Sequence, residues 1–254
     1  MRERPGRTGG GLAAGLRGLR AALLAGCLMA PAGRASELCT DDAMIVFDGS
    51  GSMSEIGFDP SGAPRIIEAR RAVREAIPGI AGTRRLGLIV YGPGGNPVCD
   101  NVHLRFGPVW GAADPIIGAV EALWPAGATP LTDAVLRAAE VLDYRNRPGA
   151  ILLITDGKET CGGAPCRLAS HLAAAGRDLT VHVVGFRLRP GPVRWGSRGA
   201  PDDTVASVAR CLADATGGQY VTADSADDLV AAMRVTLGCN LMGAAPARDE
   251  NRPG

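Results

Sequence analysis

The feature that most restricts the fold of this chain is a regular alternation of short apolar runs with longer segments carrying apolar residues at helical spacing. The runs Met44-Ile45-Val46-Phe47 and Ile151-Leu152-Leu153-Ile154 contain no polar residue. A strand that is apolar on both faces must be covered on both faces, the condition met by a parallel sheet layered with helices. Segments 85–91, 102–106, 179–186 and 219–222 complete a set of six strands. Segments 66–77, 114–123, 132–142, 165–175, 203–215 and 225–237 read as helices, the first of them stopping at Pro78-Gly79. Only a Gly/Pro-rich turn at 92–97 joins the second strand to the third, so that pair is expected to be antiparallel, with the third strand at an edge. The expected class is α/β: a doubly wound, Rossmann-like, mostly parallel six-stranded sheet flanked by helices, with one antiparallel edge strand.

Oxygen-bearing side chains follow strand-like runs at three places. The first run leads into Asp48-Gly49-Ser50-Gly51-Ser52-Met53. Alternate residues of an extended turn face one way, so Asp48, Ser50 and Ser52 can share a focus while the two glycines keep the backbone permissive. The second place is Gly127-Ala128-Thr129-Pro130-Leu131, just before a helical segment. The third is Thr155-Asp156-Gly157, closing the most apolar strand. Strand ends of a parallel sheet meet at one rim, so two carboxylates and three hydroxyls can converge there with water on one hard, octahedral cation such as Mg²⁺.

This ordered set, Asp-x-Ser-x-Ser, then Gly-x-Thr-x-Leu, then a strand ending Thr-Asp-Gly, resembles the metal-ion-dependent adhesion site (MIDAS) of the von Willebrand factor type A (vWA) family. The resemblance spans residues 44–237. It implies that Ser50, Ser52 and Thr129 ligate Mg²⁺ (or Mn²⁺ or Ca²⁺) directly, and that Asp48 and Asp156 act directly or through water. It also implies a strand order of the 3-2-1-4-5-6 kind, with the strands ending at Phe47 and Thr155 side by side at the topological switch point. An ion held by so few carboxylates keeps much of its charge and an open position, which suits a carboxylate from another protein. The expected function is that of an exported protein-binding, adhesion or scaffold module recognising a partner's acidic side chain, and not an enzyme. The alternatives are a metal-assisted hydrolase, for which no base stands out, and a structural envelope protein whose ion pins its loops.

Composition excludes other classes. A net charge of +1 offers no electrostatic case for nucleic acid, and 4% aromatic content leaves few platforms for stacked bases. Arg2, Arg4, Arg7, Arg17 and Arg20 precede the apolar stretch 21–32, and Gly33-Arg34-Ala35 has small residues where a signal peptidase cuts. Residues 1–35 are therefore expected to be a signal peptide, 36–240 the vWA domain and 241–254 a disordered tail, in a periplasmic or secreted bacterial protein. Leu24-Ala25-Gly26-Cys27 also fits a lipobox, and lipidation at Cys27 would tether the domain to a membrane.

After such a cut, Cys39, Cys99, Cys161, Cys166, Cys211 and Cys239 remain, an even set for an oxidising compartment. Pairing Cys39 with Cys239 would join the domain's ends, pairing Cys161 with Cys166 would close a turn, and Cys99 with Cys211 is the remainder. A structural zinc site is disfavoured, because His103, His171 and His182 lack paired spacing with the cysteines. The Arg-, Gly- and Pro-rich stretch 187–201, with Trp195, Arg194 and Arg198, is expected to be a loop near the metal rim. Lys158 and Glu159 read as solvated charges, Arg70, Arg71, Arg84 and Arg85 as surface residues, and His182 as a packed strand residue.

Overall fold

Among the described residues thirteen elements follow one another: β1 Asp42–Asp48, a 3₁₀ turn Gly51–Ser54, α1 Arg65–Ala81, β2 Leu86–Tyr91, β3 Val102–Val109, α2 Ala113–Glu121, α3 Leu131–Val141, β4 Gly149–Thr155, α4 Pro165–Ala175, β5 Leu179–Phe186, α5 Val205–Thr216, β6 Tyr220–Ala223 and α6 Ala226–Leu237. The structure is a computed structural model, and it describes residues 42–56, 62–93, 99–188 and 205–238. The expected signal peptide with Cys27, the expected disordered tail, Cys39, Cys239, Arg194, Trp195 and Arg198 lie outside these residues.

The strands form one sheet in the order β3-β2-β1-β4-β5-β6. Every neighbouring pair is parallel except β2–β3. β1 and β4 are therefore central neighbours where the order reverses, and their carboxyl ends open onto one crevice. The pleat sorts their side chains. Ile45, Phe47, Leu152 and Ile154 join a core layer with Val73, Ile77, Ile116, Leu229 and Met233 of α1, α2 and α6. Met44, Val46, Ile151 and Leu153 face Val135, Leu168, Leu172 and Leu212 of α3, α4 and α5. Ile151 through Ile154 are wholly buried, each contributing about 1.5–3 kcal/mol of transfer free energy, so the chain's most apolar run anchors the strand that presents Asp156.

Several sequence expectations are corrected. α1 does not stop at Pro78 but runs through it to Ala81. An interior proline costs about 3 kcal/mol, and here the last turn offsets that by burying Ile77, Ile80 and Ala81. β3 continues past Phe106 through Gly107-Pro108, which an edge strand tolerates because a proline there removes no ladder bond, and its register against β2 shifts near Leu88. Arg84 is buried, with Nη1 donating to the carbonyl of Leu237 at 3.2 Å, and Arg70 donates from Nε to Val120 O at 3.2 Å and from Nη2 to Leu123 O. These guanidinium groups serve the carbonyls left open at the carboxyl ends of α6 and α2. Arg85 forms an ion pair with Asp42 at 3.2 Å.

The disulfides also differ from expectation. Cys99 bonds Cys161, and Cys166 bonds Cys211. The turn at 162–164 directs Cys161 toward the β2–β3 connection, while Cys166, in the first turn of α4, faces α5. No cluster of three or more His, Cys, Asp or Glu side chains suited to a metal occurs among the described residues.

Candidate metal centre

The crevice at the carboxyl ends of β1 and β4 brings the three oxygen-bearing segments together. Asp48 is the last residue of β1 and is fully buried. Its Oδ1 accepts from Ser50 N at 2.8 Å, fixing the turn that follows, and its Oδ2 accepts from Thr155 Oγ1 at 2.7 Å and more weakly from Asp156 N at 3.4 Å. Thr155 in turn receives the Tyr91 hydroxyl at 3.1 Å. The Tyr91 phenol is pushed well above its usual pKa, first by burial and then by the Asp48 charge, so it remains a donor. Asp48 thus ties the ends of β1, β2 and β4 into one buried network.

The other oxygens face a common hollow. Ser50 Oγ and Ser52 Oγ are 3.1 Å apart, and Ser52 Oγ donates to Asp156 Oδ1 at 2.6 Å. A Cβ placed on Gly157 would lie 3.5 Å from Ser52 Oγ and 3.9 Å from Thr129 Oγ1, so both hydroxyls border the space that this glycine leaves open. Thr129 is positioned by Thr160, whose Oγ1 accepts from Thr129 N at 2.8 Å while its N–H donates to Thr129 O at 3.1 Å. Asp156 Oδ2 is buried without a hydrogen bond. Arg65 Nη1 lies 3.4 Å from it, close enough for ionic attraction and without hydrogen-bond geometry. Burial first, and then the charge of Asp48, raises the Asp156 carboxyl to about 7, against the opposing pull of Ser52 and Arg65. A buried carboxylate oxygen without a hydrogen bond, on a side chain whose other oxygen meets the Ser52 hydroxyl, suits a hard cation. The donor set therefore fits a divalent ion of the Mg²⁺, Mn²⁺ or Ca²⁺ type.

The turn Gly51–Ser54 leads Met53 into the core and is held from outside. Gly51 N donates to Gly127 O at 3.2 Å, and Ala126 N donates to Gly49 O at 3.0 Å, so the loop bearing Thr129 is laced to the loop bearing the serines. Gly92, at φ +101°, presses on the same turn: a Cβ there would come within 2.3 Å of Ser50 N.

Sequence reasoning missed several contributors. Arg65, only 2% exposed at the start of α1, donates to Ser52 O at 2.9 Å and faces both Glu55 and Asp156. Glu159 is not simply a solvated charge, because its carboxylate accepts from Thr132 N, Thr132 Oγ1 and Cys161 N at 2.7–2.8 Å and fastens the loop after β4 to α3. Thr155 stands within the Thr-Asp-Gly motif, yet nothing in the sequence distinguishes its bond to Asp48 from an ordinary strand end. His182 is partly buried, and its Nδ1 accepts from Gln219 N at 3.1 Å, as befits a packed strand residue.

Residues 43–159 match the von Willebrand factor type A domain family. The uncharacterized Bacillus subtilis protein YwmD is 28% identical over 228 residues, covering 85% of this chain and 92% of its own. An aerotolerance-related membrane protein of Bacteroides fragilis, solved with multiple mutations to serines, superposes with a TM-score of 0.54 at 20% identity, over 78% of this chain and 98% of its own. Proximal thread matrix protein 1 of the mussel byssus, solved with zinc in its MIDAS motif, gives 0.50 at 16% identity, over 80% of this chain and 48% of its own. At these identities the structural likenesses establish the fold.

Proposed function

We propose that this chain, whose residues 43–159 match the von Willebrand factor type A domain, a family that often mediates metal-dependent protein interactions, binds a protein partner through a divalent cation held at the β1/β4 crevice. The observation that carries this reading is that the Ser50 and Ser52 hydroxyls adjoin each other and Asp156 Oδ1, with Thr129 Oγ1 bordering the same space beside Gly157, while Asp156 Oδ2 is buried without a hydrogen bond. Ser50, Ser52 and Thr129 would hold the ion directly, with Asp156 and, through water, Asp48 completing the charge. When bound, the ion supplies a positive centre with an exchangeable position that a partner's carboxylate can occupy. The chain's own residues do the remainder. Asp48 spends both its oxygens on internal donors and fixes the turn geometry. Arg65 adds positive charge beside Asp156, which favours an anionic ligand. Zinc in the byssus protein's MIDAS makes zinc a further metal to try.

The protein works outside the cytoplasm in this reading, which is supported by the leader-like segment 1–35 and by two disulfides among the described cysteines. The test is calorimetric titration of Mg²⁺, Mn²⁺ and Zn²⁺ into the purified chain, its Ser50→Ala variant and its Asp156→Ala variant. Affinity should fall at least tenfold in each variant. Absence of binding by the wild type, or unchanged binding in both variants, refutes the proposal. Capture of an envelope protein in Mg²⁺ that is lost with chelator then identifies the partner.

A further inference from the structure

We propose that a groove between the β3 edge and the end of α2 is a second contact surface for the same partner, accepting an acidic and partly apolar stretch of polypeptide next to the carboxylate that reaches the metal rim. This inference rests on the reading of the metal site given above.

The groove, about 570 Å³ in volume, starts at the rim itself. Its Ala126 donates to Gly49 O, and its Pro93 Cδ would lie 3.2 Å from a Cβ on Gly49, the residue between Asp48 and Ser50. His103 and Arg105 project from β3 along its length, and no acidic residue among the described residues lines it. Trp124 stands at its margin with 84% of its surface exposed, by far the most exposed large apolar side chain among the described residues. A tryptophan is ordinarily among the more buried side chains, and one beside basic residues at a concave surface has the composition of an interface anchor. Its support is rigid. Leu123 is buried, and Arg70 holds the carbonyls of Val120 and Leu123 from α1, so the indole is presented from a fixed base and little ordering free energy opposes binding.

Charge complementarity selects the occupant. A metal ion that takes a carboxylate at one end and two basic side chains farther along call for a ligand segment with at least two acids, with an apolar residue between them for Trp124. Trp124 and Ala126 are two residues apart, so about 7 Å of extended chain at most separates them. The probe peptide accordingly places its apolar residue two positions from the acid directed to the metal.

The experiment uses two capped synthetic peptides, Asp-Gly-Leu-Glu-Gly and Asp-Gly-Gly-Gly-Gly, titrated into ¹⁵N-labelled chain at saturating Mg²⁺. The Trp124 indole resonance is assigned with Trp124→Phe. The first peptide should move that resonance and bind at least tenfold tighter than the second. Trp124→Ala and Arg105→Glu should each abolish most of that advantage while leaving Mg²⁺ affinity within twofold of wild type. An indole resonance unmoved at millimolar peptide, or variants that keep the tenfold preference, overturns the proposal. Movement of the resonance with chain concentration alone, together with a dimer mass by light scattering, overturns it in favour of a second copy as occupant. If Mg²⁺ fails to bind the wild type, the metal reading falls by itself, and the groove stands or falls on whether the first peptide still moves the Trp124 resonance.

Discussion

The two disulfides among the described residues lend themselves to a differential experiment, because they close loops of similar size but lie in different relations to the candidate metal centre. Cys99–Cys161 spans 62 residues and Cys166–Cys211 spans 45. In the chain-entropy treatment, the corresponding loop closures in the unfolded state are worth about 4.3 and about 4.0 kcal/mol at 25 °C. Replacing either pair by serine should therefore cost about 4 kcal/mol, which for a domain of this size lowers Tm by about 8–16 °C. Metal affinity should separate the variants. Cys161 follows Thr160, the residue that exchanges two hydrogen bonds with Thr129, and its own N–H is held by Glu159. Cutting the bridge to Cys99 frees one end of that clamp and lets the Thr129 hydroxyl wander from Ser52. Cys166–Cys211 instead joins α4 to α5, away from those contacts. Guanidinium unfolding and Mg²⁺ calorimetry on Cys99→Ser/Cys161→Ser and Cys166→Ser/Cys211→Ser should give similar losses of stability, with Mg²⁺ bound at least fivefold more weakly by the first variant alone. Equal Mg²⁺ affinities in the two variants, or stability losses below about 1 kcal/mol, would refute the reasoning.

Two further outcomes follow from buried charge. His182 has its pKa lowered to about 4, chiefly by burial and then by the Arg84 charge, so between pH 6.5 and about 4 the unfolded chain binds a proton that the folded chain does not. Stability should accordingly fall by about 3 kcal/mol as pH drops through that window, and His182→Gln, which keeps an acceptor for Gln219 N, should flatten this part of the profile in thermal melts; an unchanged slope would remove His182 from the account. Arg65→Met deletes the buried guanidinium beside Asp156 and should cost about 3–5 kcal/mol in chelator, as breaking one side of a buried ion pair does. Part of that loss should return in Mg²⁺, giving a larger Mg²⁺-dependent rise in Tm than in the wild type, and equal rises would show that Arg65 and the cation do not share the Asp156 charge.

How far the sequence discloses this molecule depends on where each residue finds its partner. Ile151 to Ile154 betray a central parallel strand because burial on both faces leaves no place for a polar side chain, and the Gly/Pro turn betrays the antiparallel edge because it is too short for a crossover. The strand order came from family resemblance, since hydrophobic period says which segments are strands and nothing about their neighbours. Pro78 misled because the decisive contribution is the burial of Ile80 and Ala81 against distant side chains, not local preference. Arg70 and Arg84 read as surface charge, and Arg65 draws no reading, for the same reason: their acceptors are backbone carbonyls or carboxylates 10 to 153 residues away, and no spacing encodes them. The disulfide partners are likewise set by the meeting of the β2–β3 connection with the loop after β4, and of α4 with α5.

The oxygen set was legible because its three pieces each occupy a strand end or a helix entry, and parallel topology sends such ends to one rim. Within that set the structure draws a distinction that the motif does not express. Asp48 is saturated by Ser50 N, Thr155 Oγ1 and Asp156 N, so its charge is consumed in joining three strands and in aiming the serine turn. Asp156 is the complement: one oxygen is held by Ser52, and the other is buried with only a distant guanidinium for company. Two aspartates of the same motif thus differ, one organising the loops and the other keeping a buried oxygen without a hydrogen bond. A second saturated carboxylate would leave only neutral hydroxyls for an ion, while a second unsatisfied one would burden the fold with two uncompensated buried charges. In the proposed reading, that asymmetry would let the domain fold before an ion arrives and still bind it afterwards.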